Sequence, residues 1–278
     1  MIRKATLSEN QKGNQVIQNL IKQSLPTYWY GNGLSYAVAS IFARVCITQG
    51  YPAVLLRPSE FIKVSKGKTI LISQSGRNPG FQVDLIISQE GADLSWTETP
   101  CLAIKNVEKS AFWLSIDNSI ETIKSVSNFI NIAYPKKKIK TYIKEGNAQN
   151  LFIVEQNAQP LKELLQSCSD KVKQLPFHVI DRDEIGHGMH YKIWGNPNKY
   201  RLYLLIDSEH SKAWDQIRFW LEGLNINYCI IPIHSYFTMP AKLIESSLII
   251  LNSVKAWLEM TNIQYWKKPI PKHLDQLR

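Results

Sequence analysis

Apolar positions along the chain alternate between two spacings. Short apolar, β-branched runs read as strands, and longer stretches with apolar residues three and four apart read as helices. Val16, Ile17, Leu20 and Ile21 recur at helical spacing and predict a helix over 10–24. Residues 27–30 read as a short strand. Gly31-Asn32-Gly33 then turns the chain into a helix over 34–48, with Ala37, Val38, Ile41, Phe42 and Val45 on its inner side. Strands follow at 53–56 and 69–73. The second of these, Thr69-Ile70-Leu71-Ile72-Ser73, is apolar in the manner of a central parallel strand covered on both faces. A helix over about 79–90, a strand at 101–104 and a helix over 119–133 complete the first half.

Pro135 and the cluster Lys136-Lys137-Lys138 with Lys140 mark a linker over 135–145. A second alternation follows: strand 151–154, helix 160–173, strand 201–207, helix 211–224, strand 228–233 and a long helix 240–260, with Pro240 suited to its first turn. Residues 265–278 read as an irregular tail. Alternating strands and helices predict an α/β fold with domains at 1–134 and 146–278, each a parallel sheet flanked by helices. In such sheets a ligand sits beyond the carboxyl ends of the strands. Both Gly31-Asn32-Gly33 and Ser73-Gln74-Ser75-Gly76 fall there, each between a predicted strand and a predicted helix.

Composition narrows the functional classes. The chain has 278 residues, 44% hydrophobic and 20% charged, which suits a folded protein with a real core. Its net charge is +10, but outside the lysine cluster and Lys267-Lys268 the basic residues are dispersed. Aromatic residues are not interleaved with that cluster, so nucleic acid ranks last among the partners. No apolar run approaches the roughly 20 residues of a membrane helix. Residues 1–14 are polar, without the apolar stretch of a secretory signal, and the expected location is the cytoplasm. Cys46, Cys101, Cys168 and Cys229 are scattered and form no metal-ligand spacing, so they read as reduced thiols. Neither a metal nor a cofactor is expected.

The candidate chemistry lies in the two turns. A buried strand ending in Ser73-Gln74-Ser75-Gly76 before a helix start would bring hydroxyls beside unpaired N–H groups and a positive dipole end, a cradle for phosphate. Ser35 sits near the start of the helix after Gly31-Asn32-Gly33. Tyr36 stands where a dinucleotide fingerprint would need its third glycine, which disfavours a dinucleotide.

Gly31-Asn32-Gly33-Leu34-Ser35-Tyr36 and Ser73-Gln74-Ser75-Gly76, with Ser59-Glu60-Phe61 between them, resemble in order and separation the sugar isomerase (SIS) domain superfamily. The resemblance covers the first half well and the second more loosely. The long final helix and tail are similar to the end of the phosphoglucose/phosphomannose isomerase branch. The resemblance implies two tandem SIS-like units, a phosphorylated sugar as ligand and a homodimer with shared active sites. It implies that Gly33, Ser35, Ser73, Gln74, Ser75 and Asn78 contact phosphate or sugar hydroxyls. Where the family usually has Glu-Thr or Asn-Thr after Ser-Gly, this chain has Arg77 and Asn78.

Asp183-Glu184-Ile185-Gly186-His187-Gly188-Met189 resembles the family's Glu-x-x-His-Gly segment. That implies His187 as the ring-opening group, a role that suits a side chain titrating near neutrality. The position of the family's general base is held by Lys171, preceded by Asp170; Glu184, Asp170 and Glu163 are the carboxylates that remain. Two expectations result. One is an aldose–ketose isomerase, or a related deglycase or deaminase, working through an enediol with His187 and Glu184. The other is a catalytically degenerate phosphosugar-binding or regulatory protein.

Overall fold

The computed structural model describes residues 3–22, 25–60, 66–105, 116–133, 143, 148–155, 157–170, 175–185, 190–206, 212–233 and 238–261. The expected linker lies outside the described residues except for Ile143, which packs against the core.

The first sheet is parallel and five-stranded. Its strands are Thr27–Tyr30 (β1), Ala53–Leu56 (β2), Lys68–Ile72 (β3), Leu85–Gln89 (β4) and Cys101–Ile104 (β5), in the order β2-β1-β3-β4-β5. Its helices are Asn10–Lys22 (α1), Leu34–Thr48 (α2) and Ile116–Phe129 (α3). The second sheet is parallel and four-stranded, from Gln149–Val154 (β6), Phe177–Asp181 (β7), Tyr200–Ile206 (β8) and Tyr228–Pro232 (β9), in the order β7-β6-β8-β9. It carries Ala158–Ser169 (α4), the single turn Arg182–Glu184 (α5), His190–Gly195 (α6), Lys212–Gly223 (α7) and Met239–Met260 (α8). In both sheets the first strand lies between the second and the third. Each sheet therefore has a crevice where the strand order reverses, between β1 and β3 and between β6 and β8.

Two departures from the sequence reading concern the sheets. β7 was not expected. It is an edge strand whose Phe177 and Val179 face the core while His178 is exposed, too short an alternation to stand out. The expected helix over 79–90 is not formed. Leu85 to Gln89 is instead strand β4, buried along its whole length between β3 and β5. Leu85 and Ile87 face one layer and Ile86 the other, so both faces are apolar and helical and strand spacing become indistinguishable in so short a run.

The chain passes from β3 to β4 without a helix. Asp84 secures this crossover: its Oδ2 accepts the N–H and the hydroxyl of Thr69, each at 2.8 Å, and Lys68 Nζ lies 2.9 Å from Oδ1. Loops cover the outer face of this sheet. Ala5, Val83 and Leu94, with Phe81 and Trp96, pack over Tyr30, Leu71, Ile86, Cys101 and Ala103. Arg3 ties this cover down, donating to Thr97 O at 2.6 Å and Thr99 O at 2.9 Å.

One hydrophobic core runs from the inner face of the first sheet, through α1, α2, α3, α4 and α8, to the inner face of the second. Trp29, Ile70 and Ile72 belong to one side of it, and Phe152, Val154 and Tyr203 to the other. α8 packs against α2 and α3 of the first half as well as α4, and Lys255 Nζ pairs with Asp117 Oδ1 at 2.6 Å. A separate cluster of Ile193, Trp214 and Leu221 covers the outer face of the second sheet. Among the described residues no helix is long and apolar enough to cross a membrane.

Candidate functional site

The reversal point of the first sheet brings two of the predicted turns together. β1 and β3 pair in register up to Tyr30 and Leu71, so the chain leaves both strands at the same edge. After β1 it folds back at once onto α2. A Cβ at Gly31 would fall 2.6 Å from the backbone of Ser35 and Tyr36, so only glycine allows this approach. Gly33 caps α2 with a φ of 56° and no side-chain cap. Ser35 donates its N–H to Asn32 O at 3.1 Å, and its side chain is buried in the first turn. The α2 N-terminus thus carries a glycine cap and a positive dipole end beside β3.

The turn after β3 is braced from three sides. Gly76 N–H donates to Ser73 O at 3.0 Å, closing it. Ser88 Oγ donates to Ser73 O at 2.6 Å, and the Trp96 indole donates to Gly76 O at 2.7 Å. Ser75, Arg77 and Asn78 are exposed, and Ser73 and Gln74 are half-buried. The Gln74 amide nitrogen donates to Ser119 Oγ of α3 at 2.9 Å, and Asn78 Oδ1 accepts the Gly80 N–H at 2.8 Å. The helix expected to follow this turn is absent, and with it the dipole end that was to face Ser73, Gln74 and Ser75. The helix end at this crevice belongs to α2, from across the gap.

α4 of the second half lies antiparallel along α2. Ser167 Oγ donates to Gly33 O at 3.2 Å at one end, and Arg44 Nε donates to Asn157 Oδ1 at 2.6 Å at the other. One turn before Ser167 stands Glu163. Its Oε1 accepts Gln159 Nε2 at 3.2 Å, and its Oε2 is buried with no hydrogen-bond partner among the described residues. Burial, and then the charge of Glu163, push the Tyr36 phenol above its usual range, while Arg57, 5.2 Å from the ring centroid, opposes them. Glu163 is therefore turned toward the first turns of α2.

Glu184 faces elsewhere. Its Oε1 pairs with Lys162 and accepts the Asp181 N–H at 3.4 Å, and Asp181 in turn accepts the Ala158 N–H at 2.9 Å. Glu184 and Asp181 thus form part of a polar knot at the start of α4. Asp170 is exposed and accepts Gln166 Nε2 at 2.7 Å. His187 and Lys171, like Phe61, lie outside the described residues. His178, though its edge is exposed, meets Gln149 Oε1 at 2.9 Å, and partial desolvation of its ring followed by the charge of Lys199 pushes its pKa down.

One feature escaped the sequence reading. Glu155-Gln156-Asn157-Ala158 lacks glycine, yet Asn157 caps α4 with a φ of 66°. With a ψ of 37° it adopts the left-handed helical conformation, which asparagine is among the few residues to tolerate, whereas Gly33 after β1 combines its φ of 56° with a ψ of −127°. An asparagine just before a predicted helix was the available signal.

No family model matches the sequence, and no curated protein matches it. Solved structures do match. A protein named as a phosphosugar isomerase from Silicibacter pomeroyi superposes with a TM-score of 0.59 at 13% identity, over 92% of this chain and 93% of its own. A protein named as a sugar binding protein from Salmonella typhimurium gives 0.54 at 11%, over 91% and 94%. The tagatose-6-phosphate ketose/aldose isomerase of Escherichia coli gives 0.51 at 10%, over 93% and 88%. At these identities the likeness is one of fold.

Proposed function

We propose that the chain binds a phosphorylated sugar in the crevice between β1 and β3 and acts on it as an aldose–ketose isomerase, or in the related deaminase or deglycase chemistry. The observation that carries this reading is the meeting, at one reversal point, of the glycine-capped end of α2 with the braced, hydroxyl-bearing turn after β3. Ser35, Ser73, Gln74, Ser75 and Asn78, with the backbone at Gly33, hold the phosphate and sugar hydroxyls. His187 moves a proton between the ring oxygen and the anomeric hydroxyl. A carboxylate then takes the proton from the carbon beside the carbonyl, giving an enediol, and returns it to the neighbouring carbon. Glu163 suits this step better than Glu184, because its buried oxygen has no partner among the described residues whereas Glu184 is engaged by Lys162 and Asp181. The SIS resemblance supports a cytoplasmic homodimer in which the His187 loop serves the neighbouring subunit's site.

A second reading, a degenerate phosphosugar sensor, draws on three observations. The helix after Ser73–Gly76 is missing, the Gln74 donor is engaged by Ser119, and Lys171 occupies the base position. Incubation with a panel of phosphosugars in heavy water separates the two. The isomerase reading expects deuterium beside the carbonyl, lost in His187→Gln and reduced in Glu163→Gln. Binding without exchange from any sugar leaves the sensor. Ligand at about 100 times its Kd adds about 2.7 kcal/mol, a rise in Tm of roughly 5 °C or more. Ser75→Ala should show a far smaller rise; equal rises would remove the cradle from the site.

A further inference from the structure

Two contacts fix how α4 lies along α2. Ser167 meets Gly33 at the start of α2, and Asn157 meets Arg44 near its end. Both helices rise equally per residue, so Glu163, one turn before Ser167, stands level with the first turns of α2, where Tyr36 lies. The charge relation agrees, since Glu163 is among the groups that raise the Tyr36 phenol. Oε2 of Glu163 is buried and has no hydrogen-bond partner among the described residues.

Arg57 meets the same ring from the end of β2. Its N–H donates to Glu60 Oε2 at 2.7 Å, and its guanidinium carbon lies 5.2 Å from the Tyr36 ring centroid. β1 pairs with β2 up to Leu56 and with β3 up to Leu71, so all three strands end at one edge. Half-buried Tyr36 therefore stands at the carboxyl edge of the first sheet, beside a carboxylate and with a cation on its ring.

Aldose–ketose exchange through an enediol moves two protons, one between neighbouring carbons and one between their oxygens. A carboxylate serves the carbons, and a phenol beside it suits the oxygens. We infer that Tyr36 is a further catalytic residue of the first site, relaying the proton between the two enediol oxygens while Glu163 serves the carbons. This rests on the isomerase reading of that site.

The steps balance. Glu163 takes a proton from C1 of the open-chain ketose while Tyr36 gives its phenolic proton to the C2 oxygen, leaving an enediol, a neutral carboxyl and a phenolate. The phenolate takes the proton of the C1 hydroxyl and the carboxyl returns its own to C2, giving the aldose and restoring both side chains. The surrounding charges favour this order. Burial, then Glu163 and last Glu60 keep the phenol protonated at rest, against Arg57. Once Glu163 holds a proton its charge no longer opposes ionisation of the phenol, and Arg57 remains to stabilise the phenolate.

Tyr36→Phe keeps the ring that Arg57 covers and removes only the hydroxyl. The probes are the 6-phosphates of fructose and tagatose in heavy water. Tyr36→Phe should lower kcat for aldose formation about 100-fold, with KM and the thermal melt unchanged. The ratio of deuterium in unreacted ketose to aldose formed should rise about tenfold, because C1 still loses its proton while the oxygens no longer exchange theirs. Arg57→Gln, at an exposed position, is the second variant should Tyr36→Phe melt early, and it should lower kcat about tenfold. If wild type turns over a probe and kcat is unchanged in both variants, the inference falls and the isomerase reading stands. A lowered kcat in Tyr36→Phe with an unchanged ratio also overturns the inference alone. No exchange by wild type from either probe overturns the isomerase reading, and the inference with it.

Discussion

Single residues set the shape of the first crevice, and glycine does so in two different ways. Gly76 has a φ of +74°, and a Cβ there would meet Asp93 O at 2.6 Å. Gly80 has a φ of +83°, but a Cβ there would meet open space. Gly80→Ala should therefore cost only the left-handed backbone term, about 1 kcal/mol. Gly76→Ala adds a backbone clash that displaces the loop carrying Asp93 and Trp96, and should cost about 2–3 kcal/mol. Urea unfolding of both variants checks this; equal losses would show that the contact with Asp93 is immaterial. The glycines at 31 and 33 were legible in the sequence as a turn. That Gly31 meets its own helix rather than a ligand was not, because the contact joins backbone atoms whose approach only the fold defines.

Elements carry the main correction. The run Leu85 to Ser88 has the apolar content of either a buried strand or a buried helix, and the choice was made by pairing with β3 and β5. Asp84 is the residue that fixes the crossover. Burial alone would raise its pKa, but the Thr69 N–H and hydroxyl and Lys68 outweigh that and hold it below the usual carboxylate range. A depressed folded pKa contributes stability above the unfolded value, near 3.9, and loses it as pH falls through the folded value. Asp84→Asn should cost about 1 kcal/mol at pH 7, allowing for partial exposure of the pair. The gap in Tm between wild type and variant should close as the pH is lowered from about 5 to 3. A gap that stays constant over that range would mean that the charge of Asp84 does not hold the crossover.

Across the whole molecule the two halves share one core. The helix layer between the sheets includes α8, which belongs to the second half by sequence and packs on α2 and α3 of the first. Neither half can bury its inner face alone, so unfolding should be a single cooperative transition. Trp29 lies in the shared core and Trp214 in the cover of the second sheet's outer face; both are fully buried. With 5-fluorotryptophan in place, the fluorine resonances of these two residues should disappear at the same urea concentration. Earlier loss of Trp214 would mark the outer layer of the second half as an independent unit.

The sequence by itself determined what periodicity and turn chemistry can express. β1, α2, β2 and β5 fall where spacing placed them, and the Gly31–Gly33 and Ser73–Gly76 turns lie at strand ends as expected. These are local properties, set by neighbours a few residues away. Only the tertiary structure decided that residues 85–89 pair as a strand. It alone turned Glu163 toward α2 while Glu184 joined Lys162, and set Asn157 as a left-handed cap on α4. Each of those outcomes rests on groups brought together from distant parts of the chain. Their energies come from burial and pairing in three dimensions, which no local pattern records.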